Sequence, residues 1–397
     1  MSRFSHLPLL PSDPILGIPL LFAADQHAKK VNLGIGAYRD EQGLPLVLQS
    51  IKEAEAFLMQ KQPDKEYLPI EGDPTLLKEG AKLLFGEDTA ILTSGELFGT
   101  QAIGGSGALR IGGELLSTWL GKRLYLSEET WSNHRQIFDQ AGLEIRTYPY
   151  RNPQTQQLDF DKLCEAIRLM ARNSIILLHA ACHNPTGIDP TPEQWRILST
   201  LIQEQELFPL FDLAYQGFGH GIDEDAYAIR YFTQQGHELM VAYSFSKNFG
   251  LYNERVGMLF IRSGDKSCLN ALTSQVRYLI RINYSTPPAH GARILAIVLS
   301  SAELKAQWQY ELKGMRERIQ GMRITLMAQL KSQGYPSSVP PLMDQTGFFS
   351  FIGLTTQQVL RLRAEYGIYM PENGRINFAG LNPSNLDYVV KSILSVF

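Results

Sequence analysis

Between about residues 90 and 262, short apolar runs alternate with segments of helical periodicity. Residues 122–126, 144–148, 174–179, 207–211, 240–245 and 258–262 read as strands. Several are apolar throughout rather than alternating, the pattern of strands covered on both faces. Segments 107–120 and 192–205 between them read as helices. The second has a clear start: Thr191 as cap, Pro192 in the first turn, then Glu193 and Gln194. This alternation predicts a doubly wound, mostly parallel α/β domain.

Beyond it, residues 301–333 predict one long amphipathic helix. A proline-rich break at 335–341, a strand at 347–352, a helix at 356–366 and a strand at 375–379 follow. This tail predicts a smaller α+β domain hinged on the long helix. The expected division is 46–310 for the large domain and 1–45 with 311–397 for the N-terminal arm and small domain. Within 1–45, Pro8, Pro11, Pro14, Pro19 and Asp13 interrupt the apolar residues, so neither a signal peptide nor a membrane span is expected. An extended arm packed on a second copy of the chain fits instead.

Composition adds mainly exclusions. The 397 residues are 44% hydrophobic and 19% charged, with a net charge of −3. No block of like charge marks a nucleic-acid or membrane partner. Cys164, Cys182 and Cys268 are far apart and odd in number. They suit a reducing cytoplasm rather than a disulfide framework.

Candidate chemistry collects at strand ends, where open parallel sheets bind ligands. His179 ends one strand and leads into His183-Asn184-Pro185-Thr186-Gly187. Asp212 ends the next, with Tyr215 close behind. Ser244, Ser246 and Lys247 end a third, and Arg255 follows. A lysine between hydroxyls, with an arginine to grip phosphate, meets the needs of a Schiff-base enzyme carrying a phosphorylated aldehyde. The run Gly104-Gly105-Ser106-Gly107 opens a helix and offers a phosphate cup. It lacks the dinucleotide spacing, the P-loop lysine and the hydrolase elbow. No metal is expected, because the eight histidines form no HExxH.

Taken together, these residues resemble the fold-type I pyridoxal-phosphate enzymes, and specifically the aspartate/aromatic aminotransferases. The likeness runs from Val31-Asn32-Leu33-Gly34-Ile35-Gly36-Ala37-Tyr38-Arg39-Asp40 to Gly374-Arg375-Ile376-Asn377-Phe378-Ala379-Gly380. It passes through Tyr67-Leu68-Pro69-Ile70-Glu71-Gly72, the Asn184 turn and Ser285-Thr286-Pro287-Pro288-Ala289-His290. One departure is Gly104-Gly105-Ser106-Gly107, where the family often has Ser-Gly-Thr-Gly.

The resemblance implies roles. Lys247 is the expected Schiff-base lysine and proton shuttle, Asp212 the partner of the pyridine nitrogen, and His134 its support. Asn184 and Tyr215 are expected on the cofactor's ring oxygen, with Trp131 covering the ring. Gly105, Ser106, Ser244 and Arg255 are expected on the phosphate, with Tyr67 arriving from a partner subunit. For the substrate, Arg375 is expected on the α-carboxylate and Arg281, again from the partner, on a side-chain carboxylate. Gly36, Trp131 and Asn184 are expected to complete the substrate site. The implied protein is a homodimer with shared active sites. The implied reaction moves an amino group between aspartate and 2-oxoglutarate, with aromatic amino acids as the alternative donors. Two other readings stay open: a different pyridoxal-phosphate reaction on the same scaffold, or a non-catalytic module that borrows the fold.

Overall fold

The computed structural model describes residues 2–10, 15, 17–61, 64–335 and 342–397. Parts of the expected arm (11–14 and 16) and of the expected break (336–341) lie outside these described residues. Among the described residues the strands are β1 (Val31–Asn32), β2 (Leu97–Ile103), β3 (Arg123–Ser127), β4 (Glu144–Tyr148), β5 (Ile175–His179) and β6 (Phe208–Leu213). They continue with β7 (Leu239–Ser244), β8 (Val256–Arg262), β9 (Phe349–Phe351), β10 (Ile368–Tyr369) and β11 (Arg375–Asn377). A seven-stranded sheet has the order β2-β8-β7-β6-β5-β3-β4. Strands β3 to β7 are parallel, and β8 runs antiparallel to both neighbours.

The apolar runs fall where full burial demands them. Every residue of β5 and β7 is buried, as are all but the ends of β6 and β8. Strand β4 lies at the edge and is mostly exposed, so it tolerates Glu144 and Arg146. The helix Gly104–Trp119 begins earlier than its apolar periodicity does, because its first turn is the glycine run itself. The helix Pro192–Glu204 starts on the expected capping box, with Thr191 Oγ1 accepting Gln194 N.

Helix Ala302–Ser332 buries Trp308, Leu312, Met315, Ile319, Arg323, Leu326 and Leu330, one stripe at helical spacing. Near its start, the Glu311 carboxylate accepts Gln49 N and Ser50 N, and so caps the helix Gln49–Gln60. Further along, Arg318 donates to Tyr38 Oη at 2.7 Å, Leu381 O at 2.8 Å and Ala379 O at 3.0 Å. One helix therefore joins the sheet domain to both chain ends. Apart from the seven-stranded sheet stand the β1–β10 pair and the antiparallel β9–β11 pair.

Two expectations change. The strand expected over 375–379 stops at Asn377, whose side chain caps Ala379 N and starts a 3-10 turn. The segment expected to be a featureless arm holds a helix, Ile18–Ala24, with Ile18 buried. Among the described residues, no helix is long and apolar enough to cross a membrane.

Trp308 ties the long helix to the loop after β7. Its ring is fully buried, stacks on Phe249 at 4.2 Å, and donates Nε1–H to Asn248 O at 2.7 Å. Trp308→Phe keeps the stack but strands that carbonyl, a loss of about 1–3 kcal/mol. Trp308→Ala also opens a cavity and is expected to cost about 3–5 kcal/mol. Urea unfolding at one fixed protein concentration checks the order.

Candidate active site

The carboxyl ends of β5, β6 and β7 lie side by side, so His179, Asp212 and the loop after Ser244 meet at one edge. A cavity of about 340 Å³ opens there. It is lined by Gly105, Ser106, Trp131, Asn184, Asp212, Tyr215, Ser244, Ser246, Lys247 and Arg255, with Leu109, His179, Ala181 and Ala214. A second space of about 170 Å³ shares Trp131 and Asn184 and adds Arg375. Ten expected site residues thus converge. Gly36 lies against the same group: a Cβ there would sit 2.8 Å from Phe349 Cζ and 3.6 Å from Tyr215 Oη.

Tyr67 and Arg281 do not reach the cavity of their own chain. Tyr67 is 86% exposed, and exposed Arg281 bonds only its neighbour Ser285 Oγ among the described residues.

Asp212 ends a hydrogen-bond chain that can run in only one direction. Asn184 N–H must donate, so His179 Nδ1 accepts it at 3.3 Å. Burial lowers His179 to about 3, so its neutral ring carries the proton on Nε2 and donates to Thr130 Oγ1 at 3.1 Å. Thr130 then donates to His134 Nδ1 at 2.8 Å, and His134 Nε2 donates to Asp212 Oδ2 at 2.9 Å. Burial by itself raises the Asp212 carboxyl. The hydrogen bond donated by His134, with the Lys247 charge nearby, outweighs it, and the group stays below the usual carboxylate range. Asp212 is therefore an anion facing the cavity.

Lys247 Nζ sits 5.3 Å from the Tyr215 ring centre. Burial lowers its ammonium from 10.5 to about 8, with Arg255 and Arg375 adding to the drop and Asp212 opposing it. Burial pushes the Tyr215 hydroxyl up, so it remains a donor. Arg375 is 3% exposed, yet its acceptors are neutral: Asn184 Oδ1 at 3.3 Å and Gly34 O at 2.6 Å. Its Nε has no hydrogen-bond partner among the described residues, and Phe349 lies under the guanidinium at 4.0 Å. Burial lowers it to about 10, so it keeps its charge at neutral pH. A buried cation with neutral partners and a free N–H is a site for an anion.

At the other end, Arg255 adopts a left-handed φ of 56° and donates to Tyr252 O and Ser246 Oγ. Gly104 has φ +65°, and a Cβ there would come 2.5 Å from Arg255 Nη2. Glycine is thus required at the position where the phosphate loop departs from the family pattern.

Sequence reading missed three participants. Thr130 is the hydroxyl that relays between two histidines. Phe349 forms the floor under Arg375. Asp189 anchors the Asn184 turn through Cys182 N and His183 N. Only Asp189 carried a signal, as an acid just past a turn.

The model of the family "Aminotransferase class I and II" matches residues 28–393. The chain is 44% identical to "Aspartate aminotransferase" of Escherichia coli strain K12, over 99% of this chain and 100% of that protein. A psychrophilic aromatic amino acids aminotransferase from Psychrobacter sp. B6, cocrystallised with aspartic acid, superposes with a TM-score of 0.97 at 42% identity, covering 99% of each chain. The aromatic-amino-acid aminotransferase from Burkholderia pseudomallei, covalently bound to pyridoxal phosphate, gives 0.96 at 42% identity over 100% of each chain. The chain belongs to the class I and II aminotransferases, on the fold-type I scaffold.

Proposed function

We propose that this protein transfers the amino group of aspartate to 2-oxoglutarate in two alternating half-reactions, using pyridoxal phosphate. The observation that carries the proposal is the convergence of Lys247, anionic Asp212 and the open Arg375 guanidinium on adjoining spaces with a hydroxyl-lined cradle at one end. When bound, pyridoxal phosphate supplies an electron sink for the charge left at the amino acid's Cα.

The residues fit that group. A Cβ at Gly105 would lie 3.0 Å from Ser244 Cβ, so a side chain there would fill the cradle. Backbone N–H groups at the start of helix Gly104–Trp119, with Ser106, Ser244 and Arg255, offer donors for a phosphate. Asp212 holds a proton on the ring nitrogen. Asn184 Oδ1 already accepts from Arg375, which leaves its amide N–H groups for the ring oxygen, beside the Tyr215 hydroxyl. Trp131 covers the ring. Lys247 Nζ, easily deprotonated, would be the group to move a proton between the substrate Cα and the cofactor's C4′ position. Arg375 takes the α-carboxylate beside Gly36, and a side-chain carboxylate meets Arg281 of a neighbouring copy.

This reading includes a homodimer, in which Tyr67 and Arg281 complete the partner's site. Their exposure on one chain supports it. The reading also divides the chain into 46–310 and 1–45 with 311–397, supported by Arg318 and the β1–β10 pair, and places the protein in the cytoplasm, in keeping with three free cysteines. Aspartate is favoured by the Escherichia coli relative. A second reading, aromatic donors, is favoured by the two aromatic aminotransferases of near-identical fold.

Single-turnover half-reactions decide between donors. Aspartate is expected to exceed tyrosine and phenylalanine in specificity constant by about tenfold or more; the reverse order selects the aromatic reading. No amino transfer from any of the three sinks the proposal.

In the cofactor-free protein, competitive labelling of Lys247 is expected to titrate near pH 8 rather than 10.5. Between those values the unfolded chain holds a proton that the folded chain has released. Stability relative to Lys247→Met therefore rises with pH from about 8 towards 10.5.

Mixing tests the shared site. Lys247→Ala and Arg281→Ala proteins, each poorly active with aspartate, are expected to recover about a quarter of wild-type sites after subunit exchange. No recovery, with exchange verified, removes Arg281 from the partner's site.

A further inference from the structure

Asp189 follows the Asn184 turn and takes no part in the chemistry above, yet its carboxylate collects three donors. Oδ1 accepts His183 N at 2.9 Å; Oδ2 accepts Cys182 N at 2.7 Å and Thr346 Oγ1 at 2.6 Å. Thr346 belongs to the segment that leads into β9. Its own N–H donates to Gly187 O at 2.8 Å, and Gly347 N donates to Phe218 O at 3.3 Å. Arg323, from the long helix, holds Gly347 O at 2.6 Å. The approach is close: a Cβ on Gly187 would sit 2.5 Å from Phe349 O and 2.9 Å from Thr346 O.

These bonds close a circuit. Asp189 holds Thr346, Thr346 leads into β9, and β9 pairs with β11, which carries Arg375. Arg375 reaches Asn184 Oδ1, and Asn184 follows His183, whose N–H returns to Asp189. Beside the clamp lies a cavity of about 790 Å³ bounded by Asp189, Arg316, Gln320, Arg323, Gln345 and Thr346. On that side the segment borders open space, so its height is set from the opposite side, by these hydrogen bonds and the close approach at Gly187.

We infer that Asp189 and Thr346 are a positioning pair that fixes the Arg375-bearing β9–β11 sheet relative to Asn184, and so sets carboxylate affinity and the Asn184 hydrogen bond to the cofactor together. This rests on the reading that Asn184 and Arg375 face cofactor and substrate. Asparagine at 189 cannot replace the carboxylate, because an amide has one accepting oxygen where three donors point at two.

The test uses holoenzymes of Thr346→Val, Thr346→Ser, Asp189→Asn and, as comparator, Asn184→Ala. Two readouts are taken: the pH midpoint of the bound cofactor's absorbance change, and KM against kcat for aspartate. Thr346→Val and Asp189→Asn are expected to move the midpoint by about half a pH unit or more, in the direction Asn184→Ala moves it. They are also expected to raise the KM for aspartate about tenfold, while kcat changes less. Thr346→Ser is expected to restore both. If Asp189→Asn does not fold, Thr346→Val carries the test alone, since it leaves the backbone bonds of Asp189 in place. An unmoved midpoint and a KM within about twofold of wild type in Thr346→Val, beside a shifted Asn184→Ala, overturn the clamp alone, whatever the melting temperature does. An unmoved Asn184→Ala removes Asn184 from the cofactor and takes this inference with it.

Discussion

A buried carboxylate has to stay ionised where burial alone would neutralise it. Asp212 manages this because a backbone amide that can only donate stands at the far end of its hydrogen-bond chain. From Asn184 N–H through His179, Thr130 and His134, each donor is determined by the one before. Removing one member of such a buried pair generally costs about 3–5 kcal/mol, so the chain is also a constraint on the fold. It requires β5, β6 and the segment after β3 to end at the same level.

The other charged groups are arranged around that anion. Lys247 is pushed down to about 8 by burial, and Arg375 to about 10, while neither meets a carboxylate strong enough to quench it. Arg375 rests on amide and carbonyl oxygens and on the face of Phe349. The cleft therefore holds more cationic donors than it satisfies. Under the proposed function, anions brought by ligands complete it: a phosphate at the Gly105 cradle and a carboxylate at Arg375. The half of the chain that carries Arg375 is tied to the sheet by Arg318, Glu311 and Trp308 of one long helix.

Much of this was legible along the chain, for a local reason. Strands β5, β6 and β7 are buried on both faces, so their apolar runs are unbroken and their polar ends stand out. The positions of Asn184, Asp212 and Lys247 followed from that. Strand β2 was not recognised, because buried Thr100 and Gln101 interrupt its apolar run and spend their polarity on Glu71 and Pro288 backbone. The helix Ile18–Ala24 was hidden by the prolines around it. Gly104 could be read only as a departure until its neighbour Arg255 was seen; they pair through space, across the β2–β8 ladder.

By itself the sequence determined the alternation of elements, the strand ends that carry chemistry, and the family to which they belong. Those properties depend on periodicity and short-range turn chemistry, which are written in neighbouring residues. Only the tertiary structure decided how distant groups meet. Asp189 finds Thr346, and Arg375 finds Asn184, across separations of 157 and 191 residues. It also decided that Tyr67 and Arg281 face outward from their own chain. Burial and direction of donation are properties of packing, and no local pattern of residues encodes them.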